Sequence, residues 1–426
     1  MIDRSEGPQP ERTLSRAAEL AARFGTPLYV YDLDQVAAAR RELLDALPEE
    51  LELFYAAKAN PHPDLLRALR DGDGRACRAE ISSTGELAAA LAAGFAGEDC
   101  LYTGPGKTAA ELREAIGRGV RLFSTDSVTD VQRVGAAAGD DGVVAECLLR
   151  INSASASATT SIRMTGTPSQ FGFDSETLAA VLPEVRKVPG VRVAGMHFFP
   201  LSNARDESSL IGEFQHTIAL AAGLARELDL PLRYLDIGGG FAAPYAVPGN
   251  RAAYPALRSE LAAALDTHLP GWRSGHPRIA CESGRYLVGG SGTLVAGVSN
   301  VKVSRGRKFV ILDAGINTFG GMSGLGRLLP VSVQIEAGGT VEPASLVGPL
   351  CTPGDVLGRE IRLPVLAAGD VVTIPNAGAY GPTASLLMFL GRPAPTEVVV
   401  RGDEVVSVSR IEHHRCYERL PAGVRG

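Results

Sequence analysis

The stretch LFYAAKANPHPDLL, residues 53–66, contains a complete transition from a strand to a helix. Its first residues form an apolar run typical of a buried strand, and Asn60 and Pro61 have the side chains of a helix N-cap and first turn. Lys58 lies at the junction, where an unpaired buried ammonium would be costly. A single lysine after a strand is most simply a solvated residue, so its role depends on the remaining sequence.

The same alternation of a short apolar run and a helical segment continues through residues 35–290. Eight runs predict strands: LFYAAK, RAEISS, CLYTG, RLFSTD, AECLLRIN, VAGMHFF, RYLDIGG and RIACESG. Segments rich in alanine, leucine and arginine lie between them. Eight such units favour a parallel sheet closed into a (β/α)8 barrel of the TIM type.

After residue 290 the strand-like runs are separated by Gly, Pro and Asp instead of helices. The run TEVVVRGDEVVSV places Gly-Asp between two β-branched segments, which predicts a hairpin. We therefore predict a chain of α/β plus all-β class. The barrel domain covers residues 35–290, and an antiparallel β-barrel or sandwich domain is formed by residues 1–34 and 291–426.

The composition is that of a globular protein. Of the 426 residues, 45% are hydrophobic and 21% are charged, and the formal net charge is −6, which disfavours nucleic acid as a partner. We find neither a signal peptide nor an apolar run long enough to span a bilayer, which predicts a cytoplasmic protein without a membrane partner. The cysteines form no CxxC pair and no cluster with histidine, so neither a disulfide framework nor a metal site is indicated.

The predicted strands end in polar residues, which would meet at the C-terminal mouth of a barrel, where barrel enzymes work. Glu80, Arg150 and His197 lie at such ends, although a single histidine there is more often a core residue. DIGGGF places three glycines after one strand, and ESGR adds a carboxylate and a guanidinium after the next. Both patterns suit a phosphate, although tight turns also need glycine.

A phosphate cradle, a strand-end lysine, a carboxylate and a histidine together match pyridoxal 5′-phosphate. This cofactor carries a phosphate, an aldehyde and a basic ring nitrogen. The lysine would bond to the aldehyde, and the carboxylate would keep the ring nitrogen protonated. We therefore predict pyridoxal phosphate as the cofactor.

The chain resembles the fold-type III pyridoxal-dependent decarboxylases of diaminopimelate, ornithine and arginine. AAKAN, the strand ending in His197, DIGGGF, ESGRY, CTPGD and GAYG occur in the family's order over nearly the whole chain. The resemblance implies catalytic roles for Lys58 as the Schiff-base lysine, His197 as the ring-stacking residue and Cys351 as the acid that protonates Cα. The implied cofactor-binding residues are Lys58, Glu80, Arg150, His197, Gly238, Gly239, Gly240, Glu282, Gly284, Arg285 and Tyr380, with Glu282 at the pyridine nitrogen and Arg150 paired with Glu80.

The resemblance also implies a homodimer with shared active sites. Cys351 and Tyr380 would then enter from the β domain of the partner subunit, although a cysteine is often only a small buried hydrophobe. Thr352, Asp355 and Asn317 are implied to bind the substrate.

Three departures from the family bear on the substrate. Thr352 stands where the diamino-acid decarboxylases carry an acidic residue, and a hydroxyl cannot balance a desolvated ammonium. Pro200 replaces a serine that contacts phosphate in relatives, which leaves Ser202 as a possible substitute. After Asn317, glycines take the place of a substrate-binding arginine and would open that wall: Gly320, Gly321, Gly324 and Gly326.

LVGPLCTPGDVLG and NAGAYGPTAS are similar to a subgroup that includes decarboxylases of amino acids tethered to acyl carrier proteins in natural-product assembly. An aspartate-, glutamate- or methylaspartate-type group held as a thioester has no distal charge, in agreement with Thr352, and would yield an ω-amino acyl product. One alternative is a decarboxylase of a free amino acid such as diaminopimelate. Another is a non-catalytic regulatory homologue, which the presence of Lys58 and Cys351 argues against.

Overall fold

The computed structural model of the chain describes residues 10–72, 74–153, 168–204, 206–320, 333–335 and 340–417. The chain divides into two compact units. The first draws its residues from Met1–Tyr31, Leu294–Ile374 and Gly381–Gly426, and the second from Asp32–Thr293 and Pro375–Tyr380. The segment Pro375–Tyr380 thus groups with the second unit, whereas the sequence-based boundaries assign it to the β domain.

Helices and strands are numbered in chain order. The helices are α1 (Pro10–Phe24), α2 (Leu33–Ala46), α3 (Pro63–Arg70), α4 (Thr84–Ala92), α5 (Ala109–Gly117), α6 (Val128–Asp140), α7 (Leu178–Val185), α8 (Glu207–Glu227), α9 (Leu257–His268) and α10 (Arg285–Val288). The strands are β1 (Leu28–Asp32), β2 (Glu52–Ala56), β3 (Arg78–Ile81), β4 (Cys100–Tyr102), β5 (Leu122–Thr125), β6 (Ala145–Asn152), β7 (Phe173–Asp174), β8 (Val191–His197), β9 (Tyr234–Asp236), β10 (Arg278–Ser283), β11 (Gly292–Ser304), β12 (Arg307–Leu312), β13 (Val341–Val347), β14 (Val356–Pro364), β15 (Val371–Ile374), β16 (Thr396–Arg401) and β17 (Glu404–Arg410). In the part of the chain that the structure describes, no helix combines the length and the apolar character needed to cross a membrane.

Eight parallel strands of the second unit close into a barrel. Their order is β2-β3-β4-β5-β6-β8-β9-β10, and β10 pairs with β2 to complete the ring. Each of the eight apolar runs found in the sequence overlaps one of these strands, which confirms the (β/α)8 prediction. Seven of the strands each contribute one residue to a buried apolar cluster: Phe54, Leu101, Leu122, Leu148, Ala194, Tyr234 and Ala280.

The helix after β2 begins later than predicted. Asn60 and Pro61 were expected to start it, but α3 begins at Pro63, and His62 is the N-cap. Asn60 has another function, because its side-chain amide donates to the carbonyl of Gly378 at 2.8 Å. The sequence pattern is equally good for either position, and the long-range bond to Gly378 decides between them.

The first unit is a mixed sheet. Its strand order is β14-β13-β12-β11-β1-β16-β17, with β15 paired to β11. The predicted hairpin is confirmed by β16 and β17, which turn at Gly402 with φ 52°. We predicted an antiparallel sheet, but β12 and β13 are parallel. Residues 313–340 separate these two strands, which leaves enough chain for the crossover that a parallel pair needs.

Candidate functional site

The predicted polar residues of the second unit lie at the carboxyl ends of the barrel strands. Lys58 lies in the short 3-10 turn after β2, Glu80 in β3 and Arg150 in β6, while His197 ends β8 and Glu282 lies in β10. These ends form one rim because the strands are parallel. Residues separated by more than 200 positions in the sequence are therefore brought to the same mouth.

Lys58 forms an ion pair with Glu80. Its Nζ lies 3.0 Å from Glu80 Oε2 and 3.3 Å from Oε1. Desolvation would lower the pKa of Lys58, but the carboxylates of Glu80 and Glu282 outweigh it and raise the pKa above its ordinary value. The amine is therefore held protonated, and Glu80 is the nearest group that could accept its proton.

Glu80 is itself held by neighbouring hydroxyls. Thr103 Oγ1 donates to Glu80 Oε1, and Ser82 Oγ donates to the same oxygen at 3.3 Å. A second carboxyl lies nearby, because Glu86 Oε2 accepts the Ser82 N–H at 2.7 Å. Burial, and then the charge of Glu80, raise the pKa of Glu86 to about 7. Sequence reasoning missed Glu86, although it lies in the same RAEISSTGE run as Glu80.

The predicted ion pair between Arg150 and Glu80 is wrong. Among the described residues, the carboxylate within ion-pair distance of Arg150 is that of Asp126, with Nε 3.9 Å from Oδ1. The guanidinium also lies over two aromatic rings, 4.6 Å from the centroid of Phe171 and 5.9 Å from that of Phe199. Glu80 already accepts from Lys58 and two hydroxyls, which accounts for the different pairing.

His197 joins two elements of the site. Its Nδ1 lies 2.6 Å from Ser124 Oγ, and its Nε2 lies 3.1 Å from Glu282 Oε1. Desolvation would raise the pKa of Glu282, but His197 and then Lys58 lower it, so Glu282 is a buried carboxylate. His197 Nε2 is poorly aligned for a hydrogen bond to Glu282 Oε1, which leaves this buried oxygen able to accept from another donor. A protonated ring nitrogen would supply that donor.

Asp236 is a third buried carboxyl at this point, and the sequence analysis did not single it out. Its Oδ1 accepts the Gly238 N–H at 2.9 Å, while Oδ2 is buried without a partner in the described chain. Burial, and then the charge of Glu282, raise the pKa of Asp236 to about 7. One ligand atom each from His197, Asp236 and Glu282 lie within 4.8 Å of one another, a donor set that could also hold a divalent cation.

The glycines of DIGGGF and ESGR are required by close packing. A Cβ on Gly239 would lie 2.6 Å from the Glu282 carbonyl oxygen, and one on Gly284 would lie 2.9 Å from Ala59 Cβ. The two loops can therefore approach each other and Lys58 only without side chains. Backbone close to an anion is one use of such loops.

Arg285 follows Gly284 and lies over the rings of two tyrosines. Its Cζ is 4.8 Å from the ring centroid of Tyr245 and 4.9 Å from that of Tyr380. No carboxylate among the described residues lies within ion-pair distance of this guanidinium. Tyr380 was expected to come from a partner subunit, and that expectation is wrong: it groups with the barrel residues of its own chain and donates its N–H to the Ala59 carbonyl at 2.7 Å.

The residues around this pocket fit pyridoxal phosphate. The pocket contains an amine, a buried carboxylate with an open acceptor, a guanidinium with no carboxylate partner among the described residues, and glycines from two loops. Ser202 lines the same pocket, as the departure at Pro200 required of a substitute phosphate ligand. The lining residues are Ala56, Lys58, Phe199, Ser202, Asn203, Gly239, Gly240, Phe241, Glu282, Ser283, Gly284, Arg285 and Tyr380.

The remaining predicted residues belong to the first unit. Cys351 is exposed, and the neighbouring Thr352 accepts the Gly354 N–H at 3.3 Å through its hydroxyl. Asn317 is 2% exposed, and its Oδ1 has no hydrogen-bond partner within the described ranges.

Asp355 was predicted to bind the substrate, but both of its carboxylate oxygens are engaged by the backbone. They accept from Ile316 N at 2.8 Å and Leu350 N at 2.7 Å. Asp355 therefore holds together the turns that carry Asn317 and Cys351, because a carboxylate can bridge two amides that face each other. Of the glycines predicted to open the substrate wall, Gly321, Gly324 and Gly326 lie outside the described residues.

Comparison with known proteins gives one consistent result. Residues 33–289 match the family model of the pyridoxal-dependent decarboxylases, pyridoxal binding domain. The chain is 31% identical over 404 residues to the L-glutamyl-[BtrI acyl-carrier protein] decarboxylase of Niallia circulans, with 92% of each chain covered. It is 33% identical over 383 residues to the diaminopimelate decarboxylase of Actinosynnema pretiosum subsp. auranticum, covering 88% of this chain and 85% of that protein.

A solved structure agrees with these relatives. The crystal structure of diaminopimelate decarboxylase from Helicobacter pylori, complexed with L-lysine, superposes with a TM-score of 0.78 and 26% identity. The match covers 92% of this chain and 95% of that chain, and so includes both units.

Proposed function

Because the chain belongs to the family of pyridoxal-dependent decarboxylases, we propose that it decarboxylates an acidic amino acid tethered to an acyl carrier protein. The acyl group would be of the aspartate, glutamate or methylaspartate type, bound through its side-chain carboxyl as a thioester. Its α-amino and α-carboxyl groups stay free, and the product would be an ω-amino acyl group on the carrier. Such a reaction would belong to natural-product biosynthesis, including antibiotic and polyketide assembly.

The barrel mouth would hold the cofactor through its own residues. Lys58 would bind it covalently, Glu282 would accept a hydrogen bond from the ring nitrogen, and His197 would lie against the ring face. Arg285, together with Gly238, Gly239, Gly240 and Gly284, would bind the phosphate. When bound, pyridoxal phosphate supplies an electron sink for the pair that remains at Cα after the carboxyl group departs.

The reaction needs two proton transfers that this chain can supply. Lys58 must lose its proton before its amine can act as a nucleophile, and Glu80 lies 3.0 Å from it. When the bond between Cα and the carboxyl carbon breaks, carbon dioxide leaves and a proton must be delivered to Cα. We assign that delivery to the exposed thiol of Cys351, contributed by the second subunit of a homodimer.

Thr352 is the observation that carries the choice of substrate. The diamino-acid decarboxylases that this chain resembles have an acidic residue here, which balances the distal ammonium of the substrate. A hydroxyl would leave that charge unbalanced, at a cost of several kcal/mol or about a thousandfold in selectivity. A thioester has no such charge, and the relative from Niallia circulans is named for a glutamyl group on a carrier protein.

Decarboxylation of a free amino acid is the second candidate. It is favoured by the 33% identity to the diaminopimelate decarboxylase of Actinosynnema pretiosum. An acidic residue from elsewhere in the site would then have to replace the missing carboxylate at position 352.

A competition assay distinguishes the two candidates. Purified protein with pyridoxal phosphate would be given free Asp, Glu, Lys and diaminopimelate, and aspartyl- and glutamyl-carrier thioesters, with products identified by mass spectrometry. We expect a thioester to be turned over at least about a hundredfold faster than any free amino acid. Faster turnover of a free amino acid would overturn the carrier proposal.

Two variants refine the assay. In T352E, an acid at position 352 should increase the turnover of diaminopimelate relative to the thioester, because the distal ammonium regains a partner. In C351A, the loss of the proton donor should slow formation of the normal amine product. An unchanged rate and product in C351A would remove the acid role of Cys351 without affecting the substrate assignment.

A further inference from the structure

Among the residues that the structure describes, aromatic rings and no carboxylates lie against the guanidinium of Arg285. This residue begins the short helix α10, with one tyrosine ring 4.8 Å from its Cζ and another at 4.9 Å. The rings of Tyr245 and Tyr380 cover the cation through their faces, an attractive arrangement for a guanidinium. Since the N–H groups point out from the edge of the guanidinium plane, they remain available to an anion.

The two tyrosines are also connected to each other. Tyr245 Oη donates a hydrogen bond to the Tyr380 carbonyl at 3.2 Å. Tyr380 has φ 54°, a left-handed conformation that is costly for a bulky side chain and needs support from its surroundings. Its N–H bond to Ala59 supplies support on one side, and the hydroxyl of Tyr245 supplies it on the other.

We infer that Tyr245 is a positioning residue for the cofactor's phosphate, which it serves by fixing the guanidinium of Arg285 and the backbone of Tyr380. The inference rests on the proposed role of Arg285 in binding that phosphate. Tyr245 touches Arg285 and Tyr380 and acts through them.

The chemistry of Tyr245 suits this role. Burial raises the pKa of its phenol to about 12, so the hydroxyl remains a donor at neutral pH. An arginine side chain has many rotamers, and a fixed one loses less conformational entropy when it binds an anion. The Tyr380 backbone also contacts Ala59, the residue after Lys58, so the same contacts relate the phosphate ligand to the lysine.

The test compares two ligands that differ by the phosphate alone. The dissociation constants of pyridoxal phosphate and pyridoxal would be measured by calorimetry on the full-length, cofactor-stripped chain. The ratio of the two constants, that of pyridoxal divided by that of pyridoxal phosphate, separates recognition of the phosphate from binding of the ring. The variants are R285A, Y245L, Y245F and R285A/Y245L.

A matched control is available in Tyr234, another tyrosine whose ring lies under an arginine. Its ring centroid is 4.9 Å from Arg278 Cζ, and its hydroxyl donates to Glu52 at 2.7 Å, at the amino ends of the strands. Y234L therefore removes a ring that covers a guanidinium at the opposite end of the barrel from Arg285. It should lower the melting temperature and leave the pyridoxal-to-pyridoxal-phosphate ratio within about twofold of the unmodified protein.

We expect Y245L to lower the ratio about tenfold, mainly by weakening pyridoxal phosphate. Y245F retains the ring but loses the hydrogen bond to the Tyr380 carbonyl, so its ratio should lie between those of Y245L and the unmodified protein. In the R285A background, Y245L should have no further effect, because the group that it positions is gone.

Different outcomes test the roles of Arg285 and Tyr245. If R285A leaves the ratio unchanged, the phosphate role of Arg285 falls, and the inference falls with it. If R285A lowers the ratio while Y245L does not, or if Y245L weakens both ligands equally, only the inference about Tyr245 is overturned. A Y245F ratio as low as that of Y245L would overturn the stacking contribution, and a Y245F ratio equal to that of the unmodified protein would overturn the contribution through the Tyr380 backbone.

Discussion

The two ends of the barrel differ in whether their buried charged groups have partners within the chain. At the amino ends of the strands, Glu52 accepts hydrogen bonds from Arg78 at 2.8 Å, Arg278 at 2.7 Å and Tyr234 at 2.7 Å. Burial would raise the pKa of Glu52, but these partners outweigh it and lower the pKa. The carboxylate of Glu52 is thus satisfied by three donors within the chain, although Arg78 Nε on the same rim is buried without a partner among the described residues.

At the carboxyl ends, the same strands carry groups that the described chain does not satisfy. Asp236 Oδ2, Glu282 Oε1 and Ser283 Oγ are buried without hydrogen-bond partners there. Burial raises the pKa values of Asp236 and Glu86 to about 7. The difference teaches that one rim is organised for stability and the other for a ligand, since perturbed and unpaired groups mark functional sites.

The largest expected difference between the rims is catalytic. K58R retains the positive charge beside Glu80 but cannot bond to the cofactor as an amine. We expect at least about a thousandfold loss of turnover and loss of the visible absorbance of the lysine-bound cofactor. Turnover and absorbance spectra would be measured together, with thermal melting to show that the fold is unchanged.

Substantial activity in K58R would contradict the functional role of this rim. A much lower unfolding temperature of K58R would also contradict it, because Lys58 would then be a structural residue like those at the opposite rim.

The next effect concerns stability at the amino-end rim. E52Q removes a charge that two guanidiniums share, and we expect the free energy of unfolding to fall by about 2 kcal/mol, with turnover per folded molecule within about twofold of the unmodified protein. Urea unfolding at pH 7 and steady-state rates would check both statements.

E146Q is the matched control for E52Q, because Glu146 pairs with Arg192 at 2.6 Å in a more exposed position on the same rim. Exposed pairs contribute little, so the change should be below about 0.5 kcal/mol. Equal effects of E52Q and E146Q would contradict the special role of Glu52.

The smallest expected effect is a difference in pH dependence. The pKa of Asp236 is raised from its ordinary value to about 7, so the folded state holds its proton more firmly. Its contribution to stability is fully present below the unfolded pKa and is lost as the pH rises through about 7. D236N should therefore reduce the stability lost between pH 5 and pH 8 by on the order of 1 kcal/mol.

Urea unfolding of the cofactor-free protein at the two pH values would measure this change. E52Q should change the pH dependence of stability in the opposite direction. The pKa of Glu52 is lowered in the folded state, so its carboxylate stabilises the fold above the unfolded pKa. This stabilisation is lost as the pH falls through the folded pKa. Identical pH profiles for D236N and the unmodified protein would contradict the assignment of Asp236 as a destabilising buried acid at alkaline pH.

Much of the architecture could be predicted from the sequence, because strands and helices are encoded by neighbouring residues. Eight apolar runs located eight barrel strands, and Gly-Asp located the β16–β17 hairpin. The residue types at strand ends also pointed to the cofactor, since parallel strands must place Lys58, His197 and Glu282 at one rim. Local patterns and the geometry of parallel strands are sufficient for these statements.

Other features depend on contacts between distant parts of the chain. Tyr245 and Tyr380 are 135 residues apart, and Asn60 and Gly378 are 318 apart. No periodicity or capping pattern relates such pairs, so the start of α3, the Asp126 partner of Arg150 and the two tyrosine rings beside Arg285 required the tertiary structure. The sequence by itself determined which chemical groups reach the mouth of the barrel. Only folding decided which of them are paired and which stay open to a ligand, because pairing depends on distances that only tertiary packing sets.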